Sequence, residues 1–135
     1  MEMRNNSAHV NRGETMSKIT ILGSGGWGIA LAISAFNKNN DVTLWSPFKD
    51  EVDMLLSKRT NEKLLKDVMI PEEIKITTDI NCAENSVITI IATPSVAVRS
   101  VAKQLSSVKN HGIVVNVSKG LEKGTLKCLS TVISE

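Results

Sequence analysis

A cluster of glycines directly after a short apolar run is the feature that most constrains this chain. Residues 19–28 read Ile-Thr-Ile-Leu-Gly-Ser-Gly-Gly-Trp-Gly, which places Gly23, Gly25 and Gly28 in a G-x-G-x-x-G spacing. An Ala-rich amphipathic segment follows at once, so the spacing falls between a predicted strand and a predicted helix. Glycine triplets arise by chance in loops but seldom in this position. The pattern therefore predicts a strand-turn-helix unit that binds a dinucleotide.

Each glycine of this turn has a separate predicted role. Gly23 takes the tight bend, Gly25 lets a pyrophosphate approach the backbone, and Gly28 lets the helix pack closely on the strand. The pyrophosphate would rest on the helix N-terminus, where unpaired backbone N–H groups and the positive end of the helix dipole attract an anion. The alternative interpretation is a glycine-rich turn with a purely structural role.

Length and charge limit the classes of protein to which the chain can belong. Its 135 residues suit one domain, predicted over residues 16–135, preceded by a flexible polar tail at residues 1–15. The net charge of +2 is spread along the chain, which argues against nucleic acid or a membrane surface as a partner. No apolar stretch is long enough for a secretory signal or a membrane span.

The cysteines and histidines do not form a pattern that is typical of a disulfide framework, a metal site or a catalytic site. Cys82 and Cys128 are the only cysteines, too few for a disulfide framework and without neighbours at metal-binding spacing. They are predicted to be reduced, inert thiols, as suits the cytoplasm, and no metal site is expected. His111 precedes a predicted strand and is expected to be a solvated loop residue, and His9 lies in the predicted tail.

The remaining pattern alternates between strands and helices. After the run that ends at Gly23, strands are predicted at 41–45, 74–77, 86–93 and 112–117, the last two buried, and 86–93 is expected to be a central strand. Helices are predicted at 29–37, after Ser46 and Pro47, at 96–105 and from residue 125 onward, whereas 62–71 is less regular. This alternation predicts an α/β domain with a doubly wound, mostly parallel sheet.

Functional residues in such a sheet are expected just beyond the carboxyl ends of the strands, where a crevice opens. Three strand ends are distinctive: the glycine turn, Thr93 to Ser95, and Ser118 to Gly120. Lys119 is predicted to point its ammonium group into the crevice, which suits a substrate with a phosphate or carbonyl group. The competing interpretation of Lys119 is an ordinary surface lysine.

Four stretches of the sequence resemble the NAD(P)-dependent glycerol-3-phosphate dehydrogenases of the bacterial type, and their order and spacing along the chain make the resemblance specific. The similarity lies in the cofactor-binding N-terminal domain of that family, a Rossmann fold, and Trp27 and Lys-Gly-Leu-Glu discriminate best against other Rossmann dehydrogenases. The stretches are Gly-Ser-Gly-Gly-Trp-Gly at 23–28, Val-Thr-Leu-Trp at 42–45, Thr-Pro-Ser at 93–95 and Ser-Lys-Gly-Leu-Glu at 118–122.

The resemblance implies reversible hydride transfer between a nicotinamide cofactor and the pair dihydroxyacetone phosphate and sn-glycerol 3-phosphate, which feeds phospholipid synthesis. Lys119 matches the family's lysine that meets both substrate and cofactor, where its charge would offset a phosphate or polarise the reacting oxygen. The other cofactor-binding positions implied are Gly23, Ser24, Gly25, Gly26, Trp27, Gly28 and Pro94.

The chain departs from the family pattern directly after Trp45. The family often has an Arg or His there that can meet a 2′-phosphate, whereas this chain continues Ser-Pro-Phe-Lys. An acidic residue that would hold the ribose hydroxyl is also missing from these four positions. Lys49 could contact a 2′-phosphate or be a surface lysine, so the cofactor is expected to be NAD or NADP.

A second departure is that the sequence ends at Glu135, before the helical substrate domain of the family. The resemblance therefore implies no catalytic residue within these 135 residues, no activity of this chain alone, and an exposed apolar face that favours homodimers or aggregates. Two other interpretations stay open: a free-standing nucleotide-binding module without catalysis, and a different Rossmann reductase. A methyltransferase is less favoured, because no acidic residue follows Trp45 directly.

Overall fold

Five parallel strands form one sheet in the computed structural model, which describes residues 16–135. The predicted tail at residues 1–15 lies outside the described residues. The strand order is β3-β2-β1-β4-β5, which confirms the predicted doubly wound α/β architecture. The strands are β1 (Lys18–Leu22), β2 (Asp41–Trp45), β3 (Lys75–Thr77), β4 (Ile88–Ile91) and β5 (Ile113–Asn116), and the helices are α1 (Gly26–Phe36), α2 (Lys49–Lys58), α3 (Val98–Leu105) and α4 (Leu129–Ser134).

Alternate side chains of the central strands enter two separate cores. Ile21 and Leu44 pack with residues of α1 and α2 on one face of the sheet. Their neighbours Leu22 and Trp45 pack with residues of α3 and α4 on the other face. Because side chains alternate across a strand, a nearly continuous apolar sequence supplies both faces at once. Helices therefore cover both faces of the sheet.

The register of the sheet brings the carboxyl ends of four strands to one level. Leu22 pairs with Trp45 on one side and with Ile91 on the other. Ile91 in turn pairs with Asn116. The chain order reverses between β1 and β4, and a crevice opens at such a reversal because the connections leave in opposite directions. The segments that follow these four strands therefore begin side by side.

The helix after the glycine turn begins earlier than its sequence pattern indicates. The pattern predicts a start at residue 29, whereas α1 begins at Gly26. Glycine is a poor helix former, so propensity alone places the first turn too late. The close contact between the turn and the helix overrides that propensity.

Strand β5 differs from its prediction as a buried strand. Ile113 is 68% exposed and Val115 is 38% exposed, because β5 lies at the edge of the sheet. An apolar run does not reveal whether its strand is central or at an edge. The central position predicted for β4 is confirmed, although that strand is shorter than the predicted 86–93.

The last helix begins at Leu129, four residues after the predicted start at 125. Gly124 and Leu126 have positive φ angles of 95° and 55°, which a right-handed helix does not accommodate. An antiparallel bridge between Leu121 and Cys128 closes this segment into a compact loop. The predicted helix of residues 96–105 is preceded by a short 3₁₀ turn at Ser95–Ala97 and becomes α-helical at Val98.

Candidate functional site

A cavity of about 830 Å³ opens at the carboxyl ends of β1, β2, β4 and β5. Its position is the one expected for the functional crevice of a doubly wound sheet. The lining comes from the glycine turn, the residues after β2, the loop after β4 and the residues after β5: Gly23–Trp27, Ser46–Phe48, Glu51, Ala92–Pro94, Val96, Ala97, Val101 and Val117–Lys119. The three strand ends that the sequence singles out thus meet in one cavity.

The three glycines of the motif show three different constraints. Gly23 has a φ of +129°, and a Cβ there would lie 2.5 Å from the carbonyl oxygen of Ala92. A Cβ on Gly28 would lie 1.9 Å from the carbonyl oxygen of Gly23. A Cβ on Gly25 would meet no protein atom within 4 Å. The turn and the helix packing therefore require Gly23 and Gly28, whereas the space beside Gly25 is open to a ligand.

The N-terminus of α1 faces this open space. Gly25 is the N-cap residue, and no side chain caps the helix. The first N–H groups of a helix have no partners within the helix, and they carry partial positive charge. A phosphate group beside Gly25 would satisfy them, which is the arrangement predicted for the pyrophosphate. Trp27 follows in the first turn and is 60% exposed at the edge of the cavity.

Thr93 contributes a buried hydroxyl group to the cavity wall. The residue is only 7% exposed. Among the residues that the structure describes, none forms a hydrogen bond with its Oγ1. A buried hydroxyl without a partner costs stability, so a ligand that supplies the missing hydrogen bond would bind more tightly. Pro94, also predicted as a site residue, lies next to it in the lining.

Lys119 lies in the same cavity, as its position after β5 predicts. The preceding Ser118 donates a hydrogen bond from Oγ to the carbonyl oxygen of Thr93, with 2.6 Å between the oxygens. This bond ties the end of β5 to the end of β4. The Lys119 side chain is exposed, in a lining that it shares with the glycine turn. His111 lies at the opposite, amino end of β5, as expected.

Beyond the end of β2, helix α2 contributes a carboxylate that the sequence pattern did not identify. Glu51 lies in the first turn of α2, and Ser46 Oγ donates a hydrogen bond to its Oε2 at 2.7 Å. Glu51 is therefore held at the cavity wall although it is six residues beyond Trp45 in the sequence. The sequence feature that could have identified Glu51 is an acidic residue in the first turn of a helix that begins shortly after Ser46.

Lys49, the candidate for a 2′-phosphate contact, forms an ion pair with Asp53 on α2. Its Nζ lies 2.6 Å from Asp53 Oδ2, one helical turn along α2. The hydrogen bond and the charge of Asp53 raise the pKa of Lys49. Lys49 is not among the residues that line the cavity, whereas Glu51 is.

The thiols and carboxylates indicate no metal site in the described part of the chain. Over residues 16–135 no group of His, Cys, Asp and Glu has the geometry to hold a metal ion. Cys82 and Cys128 are both free. Burial raises the pKa of Cys82 to about 11, which fits the inert thiol predicted there, whereas Cys128 is exposed. None of the described helices is both long and apolar enough to cross a membrane.

Residues 18–135 match the family described as NAD-dependent glycerol-3-phosphate dehydrogenase N-terminus. A glycerol-3-phosphate dehydrogenase [NAD(P)+] of Fusobacterium nucleatum is 44% identical over 122 residues, which are 89% of this chain and 36% of that protein. The enzyme of the same name from Thermoanaerobacter is 47% identical over 120 residues, 87% of this chain and 36% of that protein. The chain thus spans about a third of the length of these relatives.

Solved structures extend the similarity to three dimensions. The crystal structure of glycerol-3-phosphate dehydrogenase from Coxiella burnetii matches with a TM-score of 0.79 and 30% identity, over 88% of this chain and 37% of that one. Pyrroline carboxylate reductase from Plasmodium falciparum matches with a TM-score of 0.58 and 18% identity, over 88% of this chain and 39% of that one. The second likeness concerns the fold alone.

Proposed function

The chain belongs to the family of NAD-dependent glycerol-3-phosphate dehydrogenase N-terminal domains, and on this premise we propose that its cavity binds the nicotinamide cofactor of that reaction. The observation that carries the proposal is the open space beside Gly25, at the uncapped N-terminus of α1. Backbone N–H groups without partners and a helix dipole attract a pyrophosphate there. The proposed contacts are Gly23, Ser24, Gly25, Gly26, Trp27, Gly28, Pro94 and Lys119.

We assign separate tasks to the parts of this cavity. The glycine turn holds the pyrophosphate, and Trp27 and Pro94 flank the cofactor. Lys119 places a positive charge where the phosphate or the reacting oxygen of the substrate would lie, and such a charge is more effective where water is excluded. The nicotinamide, when bound, supplies or accepts the hydride. The substrate pair that we propose for the whole protein is dihydroxyacetone phosphate and sn-glycerol 3-phosphate.

Catalysis requires more than the residues of this cavity. Hydride transfer needs the substrate to be held in a near-attack position and shielded from water. Among the described residues, the charged residues of the lining are one lysine and one glutamate, Lys119 and Glu51. We therefore propose that these 135 residues bind the cofactor and do not by themselves turn over substrate. The protein acts on a small molecule, and we place it in the cytoplasm, where unpaired cysteines are the rule.

Titration with NADH tests the proposal directly. Trp27 lies at the cavity edge, so bound NADH is expected to quench its fluorescence and to receive energy from it. Gly25→Ala adds one methyl group in the space reserved for the pyrophosphate and is expected to weaken binding at least tenfold, about 1.4 kcal/mol. Ser34→Ala, at an exposed position of the same helix, is the control.

Circular dichroism of both variants separates loss of the site from loss of the fold. A folded Gly25→Ala variant that binds NADH as well as the unaltered chain would contradict the proposed position of the pyrophosphate. A folded unaltered chain that binds neither NADH nor NADPH would contradict the proposal as a whole. Turnover of dihydroxyacetone phosphate by the 135-residue chain at enzymic rates would contradict the proposed division of labour.

We further propose that the chain associates with a second copy of itself. Ile113 and Val115 expose apolar side chains on one face of β5, at the edge of the sheet. Such a face favours burial against a partner.

A further inference from the structure

We propose that Glu51 selects NAD over NADP, an inference that rests on the proposed function. The sequence pattern left this preference open, because no acidic residue lies in the four positions after Trp45. The structure brings a carboxylate to that place from α2. Its fixed position, its location beside the glycine turn and the charge around it carry the proposal.

Glu51 is held in a defined orientation at the cavity wall. Ser46 is 1% exposed and donates a hydrogen bond to Glu51 Oε2 at 2.7 Å. The backbone N–H of Phe48 donates to the same Ser46 hydroxyl oxygen at 3.3 Å, which directs the hydroxyl hydrogen toward the carboxylate. Within the described residues, the bond from Ser46 is the one side-chain hydrogen bond that the Glu51 carboxylate accepts, and its second oxygen, Oε1, accepts none. One oxygen of Glu51 is thus anchored, and the other can accept a hydrogen bond from a ligand.

The Glu51 carboxylate lines the cavity beyond the end of β2, the strand that pairs with β1 and so ends beside the glycine turn. Leu22 and Trp45 are paired across β1 and β2. The N–H of Gly23 donates to the carbonyl oxygen of Trp45 at 2.8 Å, which fastens the two strand ends together. In a doubly wound sheet, a ribose attached to a pyrophosphate on this turn lies over the end of the second strand. Glu51 is the acidic group on that side of the cavity.

A carboxylate in this place distinguishes the two cofactors by charge. It can accept hydrogen bonds from the ribose hydroxyl groups of NAD, and such charge-assisted bonds are stronger than neutral ones. NADP carries a phosphate on the 2′ oxygen instead, so the carboxylate would lose its donor and face a like charge. The neighbouring charges do not offset this repulsion. Asp50 adds a further negative charge in the first turn of α2, and the positive charge of Lys49 is offset by its ion pair with Asp53.

Affinities of the 135-residue chain for NADH and NADPH, measured by tryptophan quenching and calorimetry, test the inference. We expect NADH to bind at least tenfold more tightly than NADPH, since hydrogen bonds to charged groups are worth about that factor or more. Glu51→Gln keeps the shape and removes the charge, and we expect it to reduce the preference to about threefold or less, mainly through tighter NADPH binding. Asp50→Asn removes an equal charge from an exposed neighbour outside the cavity and is expected to keep the preference.

Ser46→Ala tests whether the anchor matters. It removes the hydrogen bond that positions Glu51, and we expect the NADH to NADPH preference to narrow while the fold, followed by circular dichroism, is kept. Equal binding of the two cofactors by the unaltered chain would overturn the selectivity of Glu51 and leave the proposed function intact. The selectivity of Glu51 would also be overturned if Glu51→Gln kept the preference for NADH over NADPH. The same holds if Asp50→Asn lost as much of that preference as Glu51→Gln. A chain that binds neither cofactor would remove the proposed function and this inference together.

Discussion

The carbonyl oxygen of Gly23 occupies the space that a side chain on Gly28 would need. A Cβ at position 28 would lie 1.9 Å from that oxygen, and the atom that must move is part of the backbone of the turn. We expect Gly28→Ala to lower the free energy of unfolding by about 3 kcal/mol, as forced overpacking does. Urea denaturation followed by circular dichroism measures the loss.

Gly25→Ala is the matched control for this change, because it adds the same methyl group two residues after Gly23. No protein atom lies within 4 Å of the added Cβ. We expect its stability to change by less than about 1 kcal/mol, within the range of an N-cap substitution. Equal losses in the two variants would contradict the separate roles of the glycines.

Lys119 provides the second prediction, which concerns ligand affinity. We expect Lys119→Met to raise the Kd for NADH about tenfold, because it removes a cation from the cavity wall. The affinity of the unaltered chain is expected to fall with added salt more steeply than that of the variant. Lys123→Met removes an exposed lysine on the same loop, outside the cavity lining, and is the control. If Lys119→Met and Lys123→Met changed the Kd for NADH and its salt dependence equally, Lys119 would be an ordinary surface lysine.

Much of the fold follows from local patterns. The bounds of β2 agree with the prediction because its apolar run is closed by Asn39 and Asn40 on one side and by Ser46 and Pro47 on the other. The parallel sheet follows from the alternation of strands and helices. Exposure of Ile113 does not follow, because the edge position of β5 depends on the strand order of the whole sheet.

The candidate site was predictable where it depends on strand ends and on the glycine motif. Lys119 and Thr93 meet in one cavity because their strands end at the same level. Glu51 was not predicted, since its place depends on a hydrogen bond from Ser46 across the turn that leads into α2. An acidic residue is usually sought in the few positions directly after the strand, and Glu51 lies further along, in the first turn of α2.

An ion pair outside the cavity makes stability depend on pH. Arg99 donates from Nε to Glu122 Oε1 at 2.5 Å and from a terminal nitrogen to Oε2 at 2.9 Å, which joins α3 to the loop before α4. The hydrogen bonds from Arg99 lower the pKa of Glu122 to about 2 from an ordinary value of 4.5. A lowered pKa means that the carboxylate stabilises the folded state fully above the unfolded value. This contribution is lost as the pH falls from about 4.5 toward 2.

Glu122→Gln tests this pH dependence. We expect the variant to be less stable than the unaltered chain at pH 7 and the difference to shrink as the pH falls below the ordinary carboxylate value. Urea denaturation midpoints measured between neutral and acidic pH would show the convergence. A difference between the two chains that stays constant down to the acid limit of folding would contradict it.

The exposed face of β5 gives the last prediction, which concerns self-association. Ile113 and Val115 are two residues apart, so their side chains point to the same face of the sheet, and both are exposed. Burying an apolar side chain removes its surface from water and stabilises a complex. We expect sedimentation at tens of micromolar protein to show dimers, and Ile113→Lys to shift the chain toward monomers. Leu56→Lys introduces the same charge at an exposed position on α2 and is expected to leave the dimers in place. A clean monomer in the unaltered chain, or an equal shift by Leu56→Lys, would show that the β5 face is not the interface.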